Sequence, residues 1–340
     1  MRFADLLGQE KNVRLLKAAL VGDRVAHAYL LSGPPGSGKK TLARTFAAAL
    51  NCEGRGAGWD GEPCGECRSC KKTAHGNHPD VQEISPESSR LKVEQMRELR
   101  RENARRPYEG RYKVFLIDQA ELMTDEAANS LLKTLEEPPG PAVFLLLTAY
   151  PSRLLPTIVS RCSPLQMASL PERLLARRLK DEGWSEEEAS GAATLAGGSL
   201  GRAREAAGRW GTLRNEAREF FTAASQGDRV ALLSLAAAWS KSREEAQERL
   251  ELLEALYRQW LLGAGRGPAG VWREVLGPAA HESGSLSLAG VRRILEAVMG
   301  AEQALMANAH RRLLLEVLFL QIARCHLGEE PLPGLAEGPG

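Results

Sequence analysis

The sequence predicts a parallel α/β sheet with a phosphate-binding loop, followed by an all-helical half. Apolar strand-like runs alternate with amphipathic helical runs up to about residue 165, the pattern of a mostly parallel sheet. The stretch GPPGSGKKT (33–41) stands between one such strand and the next helix. Beyond residue 165 the strand signals stop, and Ala, Leu, Glu and Arg dominate.

Taken in order, VAHAYLLSG (25–33) reads as a buried strand and KTLARTFAAAL (40–50) as the helix it feeds. A Gly- and Cys-rich insert follows at 52–70. KVFLID (113–118) and AVFLLLT (142–148) are short apolar runs whose β-branched and aromatic content favours strands. PERLLARRLKDEGWSEEEASGAATLA (171–196) reads as two short helices, broken by GGSLG at 197–201. SREEAQERLELLEALYRQWLLG (242–263) reads as helical, and 290–328 as one or two long helices. The apolar residues of RRLLLEVLFLQI (311–322) exceed one stripe, so this helix is expected to be buried, and Met299, Leu305 and Met306 are expected in a core. The Pro- and Gly-rich tail at 329–340 reads as disordered.

The 340 residues are 43% hydrophobic and 26% charged, which excludes global disorder and suggests two or three domains. No run of about 18 apolar residues lacks charges, so no spanning helix is expected. The start, MRFADLLGQEKNVRLL, has no apolar signal core, which predicts a cytoplasmic protein. A net charge of +2 confines any nucleic-acid surface to a local patch.

Gly33, Gly36, Gly38 and Lys39 lie in the G-x-x-x-x-G-K stretch. The glycines let backbone N–H groups curl around phosphate oxygens, and Lys39 can reach the outer phosphates. A Gly-rich turn without ligand is the bland alternative. The next residue should be Ser or Thr, to coordinate Mg²⁺; here it is Lys40, with Thr41 one step later, about 100° round the helix. Asp118, closing the strand KVFLID, is placed to organise Mg²⁺, or else caps a helix. The residue after it is Gln119, an amide and a very poor base.

Four of six cysteines crowd the insert as Cys52, Cys64, Cys67 and Cys70. Two overlapping C-x-x-C pairs plus one distal Cys can supply a closed tetrahedral thiolate site, which reads as structural zinc. An iron–sulfur cluster and unliganded thiols are the rivals. The insert is too poor in apolar residues to fold around its own core, so metal binding would supply its folding free energy.

With these motifs placed, the chain resembles the AAA+ clamp-loader subunits of bacterial DNA polymerase III, and within them the delta-prime branch. The matching stretches include FADLLGQEKNVRLLKAAL (3–20), HAYLLSGPPGSGKKTLA (27–43), the four-cysteine insert and HPDVQEI (78–84). KVFLIDQAELMTDEAANSLLKTLEEPP (113–139) and LLTAYPSRLLPTIVSRC (146–162) follow in order. GGSLGRARE (197–205) and NAHRRLLLEVLFLQ (308–321) match more loosely.

The resemblance implies a RecA-like AAA+ core at 1–165 with a zinc module at 52–70. A small helical lid at 166–208 and a helical collar at 209–328 would follow, the collar assembling a ring. Implied partners are gamma/tau and delta subunits, the sliding clamp and primed DNA, with no membrane. Thr148 would be the first sensor, near the γ-phosphate of ATP. In the triplet Ser160-Arg161-Cys162, the family's arginine reaches ATP held by the neighbouring subunit. A surface arginine in a salt bridge is the alternative. Where gamma/tau subunits carry the second-sensor arginine, this chain has Gly201 after Gly198, Ser199 and Leu200, with Arg202 one later.

Lys40, Gln119 and Gly201 each remove a catalytic part, which predicts an arginine donor with weak or absent hydrolysis of its own. A gamma-like ATPase using Thr41 and Glu121 is one rival; a stand-alone zinc-containing DNA-binding protein is another. Residues 90–113 hold nine Lys/Arg against four Glu. Arg90, Lys92, Arg97, Arg100 and Arg101 are the candidates to face DNA, by sequence-independent phosphate contacts. A solvated helix with pairs such as Glu94–Arg97 and Glu98–Arg101 is the alternative.

Overall fold

The computed structural model describes residues 2–87, 90–136, 140–263, 276, 286–307 and 309–329. Of the tail at 329–340, all but Glu329 lies outside the described residues. The chain divides into two units, Met1–Pro171 with Gly198–Leu200, and Glu172–Gly197 with Gly201–Gly340.

In the first unit, β1 (Ala28–Ser32), β2 (Val81–Ile84), β3 (Lys113–Ile117), β4 (Ala142–Thr148) and β5 (Ser163–Gln166) form one sheet in the order β2-β3-β4-β1-β5. Every pairing is parallel. All residues of β3 and β4 are buried, because successive side chains enter two different cores. Phe115, Ile117, Phe144 and Leu146 pack with Leu99, Leu131 and Ile158. These come from α4 (Val93–Asn103), α5 (Asp125–Glu136) and α6 (Pro156–Val159). Val114, Leu116, Val143 and Leu145 pack with Leu16, Leu42 and Phe46. Those belong to α1 (Glu10–Val21) and α2 (Lys39–Leu50).

The strand order places β1 beside β4, and β4 beside β3, although long stretches of chain separate them. The segments leaving their C-terminal ends therefore meet, which is where ligands bind in open parallel sheets. Between α2 and β2 the insert leads into the short α3 (Arg68–Ala74). Arg55 donates to the carbonyls of Ala49 and Leu50, both at 2.7 Å, and its guanidinium lies 4.4 Å over the Trp59 ring. Lys17 of α1 pairs with Asp60 at 3.0 Å and Glu62 at 2.6 Å. The insert is thus fastened to both helices.

The described part of the second unit is helical. It comprises α7 (Glu172–Asp181), α8 (Glu186–Leu195), α9 (Leu200–Gly208, from Gly201 on), α10 (Trp210–Gln226), α11 (Arg229–Trp239) and α12 (Arg243–Leu262). Two further helices, α13 (Leu288–Met306) and α14 (Arg311–His326), complete it. Its core centres on Phe220, Trp239 and Phe319, with ring centroids 4.7–5.5 Å apart. Gly191 is required where α8 meets Trp210: a β-carbon there would stand 2.1 Å from the indole.

On α14, Leu315, Leu318, Phe319 and Ile322 are buried, while Leu313 is 59% exposed. The core expectation for Met299 and Met306 is corrected. They are 52% and 63% exposed, and only Leu305 is buried. The buried stripe of α13 runs through Val291, Ile294, Val298, Ala301 and Leu305 at helical spacing, and the two methionines fall outside it. Among the described residues, no helix is long and apolar enough to cross a membrane.

Candidate functional site

The phosphate-binding loop runs from the end of β1 to the start of α2. Gly36 and Gly38 adopt φ of 73° and 86°, which only glycine takes readily, and Gly38 caps α2. Ser199 packs directly on the loop: a β-carbon on Gly36 would come within 2.2 Å of its hydroxyl oxygen. The Lys39 ammonium folds back on the loop, donating to the carbonyls of Gly33 at 2.6 Å and Pro34 at 2.8 Å. Burial lowers its pKa, opposed by the carboxylates of Glu121 and Asp118. Ser37, 5% exposed, keeps its hydroxyl without a hydrogen-bond partner among the described residues. Thr41 follows Lys40 in the first turn of α2, where its carbonyl accepts from the Thr45 hydroxyl at 2.8 Å.

Lys40 turns to the acidic side of the site. Its Nζ lies 3.2 Å from Oδ2 of Asp118 and 3.3 Å from Oε2 of Glu83. Arg44, one turn further along α2, grips Glu83 with both Nε and Nη2, the latter at 2.7 Å, and holds that carboxyl below the usual carboxylate range. The carboxylates of β2 and β3 thus already face two cations of the chain. A magnesium ion in the ordinary phosphate-loop mode does not fit. No hydroxyl follows Lys39, and an ammonium stands against the aspartate that would organise the ion.

Gln119 adopts φ of 51°, rare outside glycine, and its N–H donates to Oδ1 of Asp118 at 3.0 Å. Oε1 of Glu121 accepts from the N–H of Ala149 at 3.2 Å, and Oε2 is buried without a partner among the described residues. Thr148, 1% exposed, pairs in register with Ser32 of β1 and accepts from the N–H of Tyr150 at 3.0 Å. Gly201 lies in the first turn of α9, and Arg202 pairs instead with Glu251.

The four insert cysteines converge, with all Sγ atoms within 4.8 Å of one another and Cys64 3.9 Å from Cys70. A tetrahedral thiolate site with metal–sulfur bonds of about 2.3 Å needs sulfurs about 3.8 Å apart. The N–H groups of Cys67 and Cys70 point at the sulfurs of Cys64 and Cys67, both at 3.3 Å. Burial raises the pKa of Cys52 and Cys70, so a cation is needed to hold all four as thiolates near neutral pH. The cluster fits a metal ion. Behind it, His78 meets the Ser69 hydroxyl at 3.0 Å, and the Asp80 carboxylate accepts from the N–H groups of Tyr108, Glu109 and Gly110.

Arg161 follows α6 and is not among the residues gathered at the loop. Its Nη2 lies 2.8 Å from Oε1 of Glu136, at the end of α5, and Nη1 donates to the carbonyl of Thr157 at 3.0 Å. Both side chains remain partly exposed. Cys162 is buried, which pushes its thiol up to about 11, as befits packing. Arg90, Lys92, Arg97, Arg100 and Arg101 are all exposed, the last three on α4 outside its buried stripe of Met96, Leu99 and Asn103. Lys92 reaches Glu87 at 3.5 Å and Arg101 pairs with Glu98 at 2.7 Å. Arg97 and Arg100 have no acidic partner among the described residues, so of the two pairs in the alternative reading Glu98–Arg101 forms and Glu94–Arg97 does not.

Sequence reasoning did not single out Glu83, Arg44, Ser37 or Glu136. Glu83 sits in a strand too short to announce itself, and the others gain meaning only from their neighbours in space.

The family model described as "DNA polymerase III, delta subunit" matches residues 8–171. The DNA polymerase III subunit tau/gamma of Haemophilus influenzae is 44% identical over 177 residues, covering 52% of this chain but 25% of that protein. The chain thus spans about a quarter of that relative. The DNA polymerase III subunit delta' of Pseudomonas aeruginosa is 35% identical over 324 residues, covering 88% of this chain and 92% of its own. In fold, the chain is similar to a solved gamma-subunit-related protein of Thermotoga maritima, with a TM-score of 0.53 at 17% identity over 94% of this chain and 99% of that one. That Pseudomonas match runs through both units, whereas the tau/gamma similarity covers only half of the chain, and the chain belongs to the delta-prime family of DNA polymerase III clamp-loader subunits.

Proposed function

We propose that this chain is the non-hydrolysing arginine donor of a clamp-loader ring. It assembles with gamma/tau and delta subunits and helps place the sliding clamp on primed DNA. The observation that carries this reading is the ammonium of Lys40 against Asp118, where an ATPase needs its metal. Gln119 and Gly201, in place of a water-polarising carboxylate and a second-sensor arginine, point the same way. Arg161, partly exposed, is free to exchange Glu136 for a phosphate brought by an adjoining subunit.

In this reading 166–208 acts as the lid and 209–328 as the ring-forming collar. The four cysteines hold structural zinc, since four thiolates leave no open position for chemistry. The basic face of α4 meets the duplex without reading its sequence.

The test is ATP hydrolysis by gamma/tau, delta and this chain reconstituted with clamp and primed DNA, each subunit also assayed alone. The isolated chain should be silent, and Arg161→Ala should slow the ring by about 100-fold or more, given what arginine fingers contribute. An isolated chain that turns over ATP, with a ring indifferent to Arg161→Ala, would make it a gamma-like motor and sink the reading.

A further inference from the structure

We infer that the phosphate-binding loop of this chain takes a nucleoside di- or triphosphate without a divalent cation, with the Lys40 ammonium standing in the metal's place. The inference rests on the reading of 33–41 as a phosphate loop, and not on any role of Arg161.

In a metal-dependent site, a loose divalent ion bridges the acidic strand ends and the outer phosphates. Here a tethered cation lies between those acids, 3.2 Å from Asp118 and 3.3 Å from Glu83. An ammonium has three N–H donors, and two are accounted for by these carboxylates. The side chain is 40% exposed, which leaves the third donor room to meet a phosphate oxygen. Arg44 neutralises Glu83, so the carboxylate of β2 does not repel a polyphosphate.

The phosphate side is ready as well. Lys39 is held on two loop carbonyls, contacts that a phosphate can displace, and α2 presents its N-terminus at Gly38. The Ser37 hydroxyl, 95% buried and unpartnered among the described residues, is a donor within the loop still wanting an acceptor. A bound phosphate oxygen would supply it.

The experiment is binding of fluorescent ADP and ATP analogues to the full chain, once with excess Mg²⁺ and once with EDTA. Wild type should bind in both, with dissociation constants within about threefold of each other. Lys39→Ala should abolish binding, which places it at this loop. Lys40→Met should weaken binding about 10-fold or more in either buffer, the loss of one charge-assisted contact. Lys40→Thr frees Asp118 and restores the hydroxyl after Lys39, so its binding should become Mg²⁺-dependent by about 10-fold.

Wild-type binding that collapses in EDTA, no binding up to about 1 mM in either buffer, or Lys40→Met that binds like wild type would each overturn the inference. Binding that collapses in EDTA would also remove the Lys40 argument for absent hydrolysis, whereas the role of Arg161 stands or falls on the ring assay alone, so the two failures are told apart.

Discussion

Two places in the first unit call for a positive charge, and the chain meets them in opposite ways. At the phosphate loop, Asp118 and Glu83 are answered by Lys40 and Arg44, side chains of the adjacent helix. At the insert, four sulfurs converge, and the guanidinium of Arg55, the cation that acts on Cys52, is spent on the carbonyls of Ala49 and Leu50, so four thiolates would call for an ion. The first arrangement balances its carboxylates with side chains of the chain itself. The second, with a metal bound, would tie the folding of about twenty residues to metal supply. In the reading proposed above, a cation supplied by a side chain keeps the fold of a nucleotide site while discarding its reactivity.

The largest expected effect breaks the four-cysteine half of the contrast. Cys70→Ser should lower the melting temperature by about 10 °C or more, because the insert has no core to fall back on. Lys40→Met should shift it by about 2 °C or less, since a partly exposed ion pair contributes little. Thermal denaturation of the two variants side by side tests the contrast, and similar losses would erase it.

Asp80 sharpens the comparison, for there the chain answers a charge chiefly with backbone N–H groups. Asp80→Asn should cost about 2 kcal/mol of stability by urea titration, through weakened bonds to the N–H groups of residues 108–110. Burial opposes ionisation of this carboxyl, yet the three N–H donors outweigh it and hold its pKa below the ordinary carboxylate value. A folded pKa below the unfolded one means stability present above about pH 4 and lost as pH falls through the folded value. The Asn variant should lack that part of the acid-induced loss.

The smallest effect concerns cations that meet no acid among the described residues. Replacing both Arg97 and Arg100 by Ala should leave stability within about 0.5 kcal/mol. DNA binding by the assembled ring should weaken less than about 10-fold, with a salt slope shallower by about two. An unchanged slope would assign this face to solvent or to protein.

The contrast also marks what was legible in advance. The cysteine spacing announced its cluster because the four residues lie close together in sequence and share one chemistry. β3 and β4 announced themselves because both faces are buried, leaving uninterrupted apolar runs. β2 and β5 did not, since they are the two edges of the sheet. β5 buries only Leu165 and carries Pro164, which an edge position tolerates, so no run or alternation marks it.

By itself the sequence determined the loop, the cysteine cluster, the interior strands and the three departures at Lys40, Gln119 and Gly201, because each is a local pattern of residue types. Only the tertiary structure decided where the Lys40 charge goes. The partner carboxylates lie 43 and 78 residues further along the chain, and they meet it only because the sheet sets β1 two strands from β3 and packs α2 across them. The same holds for Arg161 and Glu136, or Ser199 and Gly36, whose contacts depend on which elements fold against each other. Chemical identity is written residue by residue, whereas the partner of a charge is set by distances that exist only once the sheet has formed.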